Sequence, residues 1–135
     1  MSPALKVTKE ITFDSAHYLP NYDGKCARMH GHTYRLQVTV GIPTCHFVES
    51  NGMVLDFAWL SALLKELVEK IDHKVLNDEL PYVPTAENMA LRFGVDIKAR
   101  LPTELYLECV RLWETPTSFA EFSPEECPCK TCECQ

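Results

Sequence analysis

Cys26, His30 and His32 fall in one short run, Cys26-Ala-Arg-Met-His30-Gly-His32. Imidazole and thiolate both bind a borderline metal such as zinc, and a thiolate is also a base. The run can therefore hold an ion, move a proton, or do both. A spacing of two puts both imidazoles on one face of an extended chain. His17 comes alongside them if its strand pairs antiparallel with theirs through the 18–29 loop. Three imidazole nitrogens leave a fourth zinc position open, as catalytic sites do. Cys26 is compatible with three roles: a base beside the ion, a fourth ligand that closes a structural site, or a free thiol.

Two further groups carry usable chemistry. Asp72-His73 joins a carboxylate to an imidazole, the arrangement that fixes a histidine tautomer for proton transfer; its plainer reading is the cap of a helix end. Glu114, at the end of a strand, can accept paired hydrogen bonds from the N–H/NH₂ edge of a heterocycle, although a strand-end glutamate is usually just solvated.

These residues need elements to position them. Residues 5–17 alternate as a strand, with Ile11 and Phe13 on one face and Thr12 and Asp14 on the other. From His32 to Ile42 the alternation is clean, with Leu36, Val38 and Val40 on one face. A helix is expected from Asp56, its N-cap, with Phe57, Leu60, Leu64, Leu67, Val68 and Ile71 as the buried stripe. A second is expected from Thr85, burying Ala90, Phe93, Ile97 and Leu101, with Pro102 closing it. Residues 104–114 return to strand, with Tyr106, Val110 and Leu112 on one face. The order strand, strand, helix, helix, strand is that of an α+β fold with an antiparallel sheet covered on one side.

The chain has 135 residues, one domain's worth. Residues 1–122 are read as the domain and 123–135 as a cysteine-rich tail holding Cys127, Cys129, Cys132 and Cys134. Those thiols could bind a second metal or an iron–sulfur cluster, but their close spacing favours partial oxidation or disorder, and no catalytic role is assigned to them. A net charge of −6 speaks against a nucleic-acid partner without excluding a small anionic substrate. No apolar run is long enough to span a bilayer, and the N-terminus lacks the centre of a signal peptide, so a cytoplasmic location away from membranes is expected.

Taken together, Phe13-Asp-Ser-Ala-His17, Cys26-Ala-Arg-Met-His30-Gly-His32, Asp72-His73-Lys-Val-Leu-Asn-Asp78, Pro84-Thr-Ala-Glu-Asn88 and Trp113-Glu-Thr-Pro-Thr-Ser118 occur in this order. The combination resembles the 6-pyruvoyltetrahydropterin synthase family over residues 5–122. The resemblance implies a T-fold: an antiparallel four-stranded sheet with two helices on one face, its sheets joined into a barrel in a homo-oligomer, a hexamer built as a dimer of trimers. It implies that His17, His30 and His32 hold Zn²⁺, that Cys26 is the base, and that Asp72 and His73 complete a proton relay contributed by a neighbouring subunit. It further implies that Glu114, with Thr85 and Glu87, binds the pterin of 7,8-dihydroneopterin triphosphate. The three residues between Cys26 and His30 are similar to the 6-carboxytetrahydropterin synthase branch of queuosine biosynthesis, with a pyruvoyl product as the alternative. Lys25, Arg28 and Lys74 are candidates for the triphosphate by charge alone.

Overall fold

The structure is a computed structural model and describes residues 3–124, so the four tail cysteines lie outside the described residues. In chain order come β1 (Ala4–His17), β2 (His30–Pro43), α1 (Phe57–Glu69), β3 (Lys74–Val75), α2 (Leu76–Glu79), α3 (Ala86–Arg100), β4 (Tyr106–Thr115) and β5 (Ser118–Phe122). Among the described residues no helix is long and apolar enough to cross a membrane.

The strands form one sheet in the order β3-β1-β2-β4-β5. β1 and β2 pair antiparallel along their whole length, from Ala4 opposite Pro43 to His17 opposite His30. One face of the sheet is apolar. Phe13, Tyr34, Leu36, Val38, Val40, Leu107, Val110 and Leu112 meet Leu60, Leu63, Leu64 and Val68 of α1 and Met89, Ala90, Phe93 and Ile97 of α3 in a single core. Each fully buried side chain of this kind contributes about 1.5–3 kcal/mol of transfer free energy. Both helix starts are capped as their sequences predict. Asp56 accepts the Ala58 N–H at 2.8 Å, and Thr85 accepts the Asn88 N–H at 3.1 Å.

The sheet departs from the expected four antiparallel strands in two ways. β3 is a fifth strand of only two residues, and it runs parallel to β1, which makes the sheet mixed. Among the described residues the α-helices likewise number three, because a single turn, α2, follows β3 directly. β5 forms a hairpin with β4 around Pro116 and Thr117, with Thr115 opposite Ser118. α3 sits close enough to β5 that a Cβ on Gly94 would collide with the Phe122 ring.

Three core assignments also change. The register of β4 shifts between its pairings with Thr39 and Val40, leaving Glu108 as an extra residue. Across that bulge the core-facing residue is Leu107, and Tyr106 instead packs over Gly41 on the opposite face. In α1, Phe57 at the first helical position is 51% exposed, and Leu63 is buried in the stripe. In α3, Leu101 lies past the last turn and is only partly buried, while Met89 completes the stripe.

Candidate metal and proton-transfer site

The buried row of the sheet does not stop where the helices stop. Along β1 the core-facing positions are Ile11, Phe13, Ser15 and His17; along β2 they are Leu36, Tyr34, His32 and His30. The three histidines thus extend the core face past its apolar end, and Glu114 joins them from β4. One donor atom from each of His17, His30, His32 and Glu114 can be chosen so that all four lie within 4.8 Å of one another.

Backbone groups set the tautomers. His17, 1% exposed, has its Nδ1 2.8 Å from the Pro84 carbonyl oxygen, and His30 has its Nδ1 2.7 Å from the Arg28 carbonyl oxygen. A carbonyl only accepts, so both Nδ1 atoms carry hydrogen and both Nε2 lone pairs are directed elsewhere. They are directed at each other: the two Nε2 atoms are 3.0 Å apart. Two lone pairs at that distance repel unless they share a cation. Two nitrogen ligands on a tetrahedral zinc with bonds of about 2.0–2.1 Å would stand about 3.3 Å apart. His32 Nε2 is buried and has no aligned hydrogen bond, although Glu114 Oε1 is 2.9 Å away. Convergent imidazole lone pairs and an orphaned buried nitrogen fit a metal ion.

Burial works against a charged His17, but the Glu114 carboxylate and the Pro84 carbonyl outweigh it and raise its pKa. For His32 burial prevails over the attraction of Glu114, assisted by repulsion from His17 and His30, and the pKa falls. The Glu114 carboxyl is pushed down, first by the His17 imidazole 3.7 Å away and against the cost of burial. Protonation is thus favoured at His17 and disfavoured at His32. Tyr34, wholly buried beneath it, has its phenol pushed up by burial and its oxygen 3.3 Å from His17 Nδ1.

Asp72 and His73 form a second group. Asp72 Oδ1 is 2.9 Å from His73 Nδ1 and also accepts the Asp14 N–H at 2.9 Å. That backbone bond is the chief reason the Asp72 carboxyl stays below the usual carboxylate range. His73 has a left-handed backbone, with φ of 61°, and its own N–H donates to the Asp14 carbonyl at 2.6 Å. The pair sits in the turn that ends α1, as its plainer reading expects: the Asp72 N–H donates to the Val68 carbonyl at 2.8 Å, while the Asp72 carboxylate reaches across to β1. His73 and His32 line the same concavity of about 500 Å³, together with Lys74, one of the cations considered for the triphosphate.

Glu114 serves two cavities. It lines one of about 590 Å³ with His32, Arg35 and Trp113, and a smaller one of about 250 Å³ with Glu87 and Ala86 at the start of α3. Thr85 is adjacent, but its hydroxyl oxygen already accepts the capping bond. Cys26 sits in a single 3₁₀ turn, Lys25–Ala27, partly buried and free, and among the described residues it joins neither cluster. Among the described residues, the group that joins the three histidines is Glu114 rather than Cys26.

A family model described as 6-pyruvoyl tetrahydropterin synthase matches residues 6–125. The chain belongs to this family. Among curated members, 6-carboxy-5,6,7,8-tetrahydropterin synthase of Haemophilus influenzae is 34% identical, with 87% of this chain and 97% of the relative aligned. The Synechocystis protein of the same name is 40% identical over 90% of this chain and 96% of its own length. The Caenorhabditis elegans 6-pyruvoyl tetrahydropterin synthase structure superposes with a TM-score of 0.77 at 24% identity, covering 92% of this chain and 98% of the other. That match shows the shared T-fold.

Proposed function

We propose that this protein is an enzyme converting 7,8-dihydroneopterin triphosphate to 6-carboxy-5,6,7,8-tetrahydropterin, acetaldehyde and triphosphate. The names of the H. influenzae and Synechocystis relatives support this product over a pyruvoyl one. The observation that carries it is the convergence of three imidazoles at the open end of the core, beside a carboxylate that faces two cavities.

His17, His30 and His32 would hold Zn²⁺. When bound, zinc acts as a Lewis acid toward the hydroxyl-bearing side chain of the substrate. Cys26 is the proposed base that takes a proton from that side chain. Asp72 accepts the His73 Nδ1–H, which leaves Nε2 as the basic nitrogen, able to carry a proton to or from the concavity it shares with His32. Glu114, with Glu87 and Thr85 at the start of α3, is the proposed seat for the pterin ring. Its two carboxylates suit the ring's donor-rich edge. Lys74 is the proposed first contact for the triphosphate.

Cys26 and the Asp72–His73 pair do not meet within one chain, so the relay is proposed to close between chains. A homo-oligomer, a hexamer in which the sheets join into a barrel, supplies the second copy. A cytoplasmic location suits a free Cys26.

The test is to incubate the zinc-loaded protein with 7,8-dihydroneopterin triphosphate and identify the products by mass spectrometry. Carboxytetrahydropterin with acetaldehyde supports the proposal. A pyruvoyl product moves the protein to the other branch of the family. No turnover with zinc bound at the histidines refutes the reading as this enzyme.

A further inference from the structure

The segment that carries Asp72 and His73 runs beside the end of β1 in one constant register. Lys74 lies opposite Ser15 and Val75 opposite Ala16, and the His73 N–H already bonds the Asp14 carbonyl. The ladder should end there, because the chain turns into α2 at Leu76 and its peptide groups rotate away from β1. It does not end. The Asn77 side chain accepts the Tyr18 N–H at 3.0 Å through Oδ1 and donates Nδ2–H to the Tyr18 carbonyl at 2.9 Å. Asn77 and Tyr18 are 59 residues apart, the same separation as in the two strand pairs, so a side-chain amide continues the register the backbone has left. A primary amide offers the donor and acceptor of a peptide group, which is why asparagine can do this and a carboxylate or an aliphatic side chain cannot.

Tyr18 is a consequential residue to hold. It follows His17 directly and opens the loop that bears Cys26. The next residue, Leu19, donates its N–H to the Cys26 carbonyl at 2.8 Å. We propose that Asn77 is a positioning residue: its amide clamps the backbone of Tyr18 and so fixes the pivot between the metal-binding end of β1 and the turn that presents Cys26. The proposal rests on the functional reading of His17 and Cys26 given above. It assigns Asn77 no contact with substrate. His17 keeps its own restraint through the Pro84 carbonyl, so loss of the clamp should disturb the Cys26 turn more than the metal.

Two variants test it, Asn77→Leu, which removes both bonds, and Asn77→Asp, which keeps the acceptor and loses the donor. In zinc-loaded full-length protein, Asn77→Leu should speed amide exchange at Tyr18 and Leu19 by about tenfold or more, the scale of two stranded backbone groups. Exchange at Leu36–Val40 should not change, and zinc content should stay as in the wild type. The kcat should fall by about tenfold or more at nearly constant KM, with Asn77→Asp in between. Unchanged exchange at Tyr18 and Leu19 in both variants would overturn the clamp. Faster exchange with unaltered kcat would overturn the positioning role and leave a structural staple. If the wild type itself does not turn over the pterin triphosphate, the functional reading fails separately. The rate of Cys26 alkylation by iodoacetamide then replaces kcat, and an equal rate in wild type and Asn77→Leu overturns the proposal.

Discussion

The histidine cluster and the Asp72–His73 pair are both imidazole–carboxylate assemblies, yet they are built in opposite ways. His17 is buried, its tautomer is set by the Pro84 carbonyl, and its neighbour His30 is set in the same manner by Arg28. His73 has a side chain 77% exposed, held by one carboxylate and by a backbone locked to Asp14. The first assembly brings all four of its groups together within one chain, as the proposed metal site requires. The second is rigid at its base and open at its tip. A metal ligand needs fixed geometry before the substrate arrives, whereas a proton carrier needs access to what it protonates.

Breaking the closed assembly should have the largest effect. Replacing His30 with Ala removes one of the two facing Nε2 atoms, and zinc affinity in a chelator competition should fall by at least about 100-fold, beyond what loss of an outer-shell partner costs. Turnover should be lost with it. If His30→Ala binds zinc as tightly as the wild type, the cluster is not the metal site.

A change in the open assembly should be smaller and should leave the metal alone. Asp72→Asn removes the carboxylate that orients His73, so kcat should fall by about 10–100-fold at full zinc occupancy. The same variant carries a pH signature. The Asp72 carboxyl titrates lower in the folded state than in the unfolded chain, so its stabilising effect is present above the unfolded value of about 3.9 and is lost as pH falls through the folded value. Acid unfolding curves of wild type and Asp72→Asn should therefore differ at about pH 5 and draw together as pH falls below about 4. An offset that widens toward low pH would show that the shift has the other sign.

The smallest effects belong to the supports. Thr85→Ala removes the cap of α3 and should cost about 1 kcal/mol in denaturant unfolding. Because Pro84, the preceding residue, restrains His17, it should also weaken zinc slightly. The exposed Lys6–Glu108 pair at 2.9 Å is the control. Lys6→Ala should change stability by less than about 1 kcal/mol and leave zinc binding and turnover unaltered.

Much of the closed assembly is legible in the sequence, because strand alternation is a strong signal. His30 and His32 share the parity of Leu36 and Val38, and His17 shares that of Phe13, so their common face follows from period two alone. The restraints do not show. The carbonyls of Pro84 and Arg28 are backbone groups, and no residue type announces them. The Pro84-Thr-Ala-Glu-Asn88 motif signals a helix start but not that the residue before the cap holds a histidine. Alternation misleads at Tyr106, where one extra residue in β4 inverts the face. β3 is too short to show a period, and Pro116 hides the hairpin to β5 because proline reads as the end of a strand. Asn77 is visible as part of a motif, but its role depends on a parallel pairing with β1 that only the fold reveals.

The proposed division of labour gives the metal to three histidines and leaves Cys26 free for chemistry. It is tested most directly by the zinc content of Cys26→Ala after dialysis against a mild chelator. The expected result is the same zinc per chain as wild type, with turnover of the pterin triphosphate lost. Loss of zinc from Cys26→Ala would contradict it and make the thiol a ligand of a closed site.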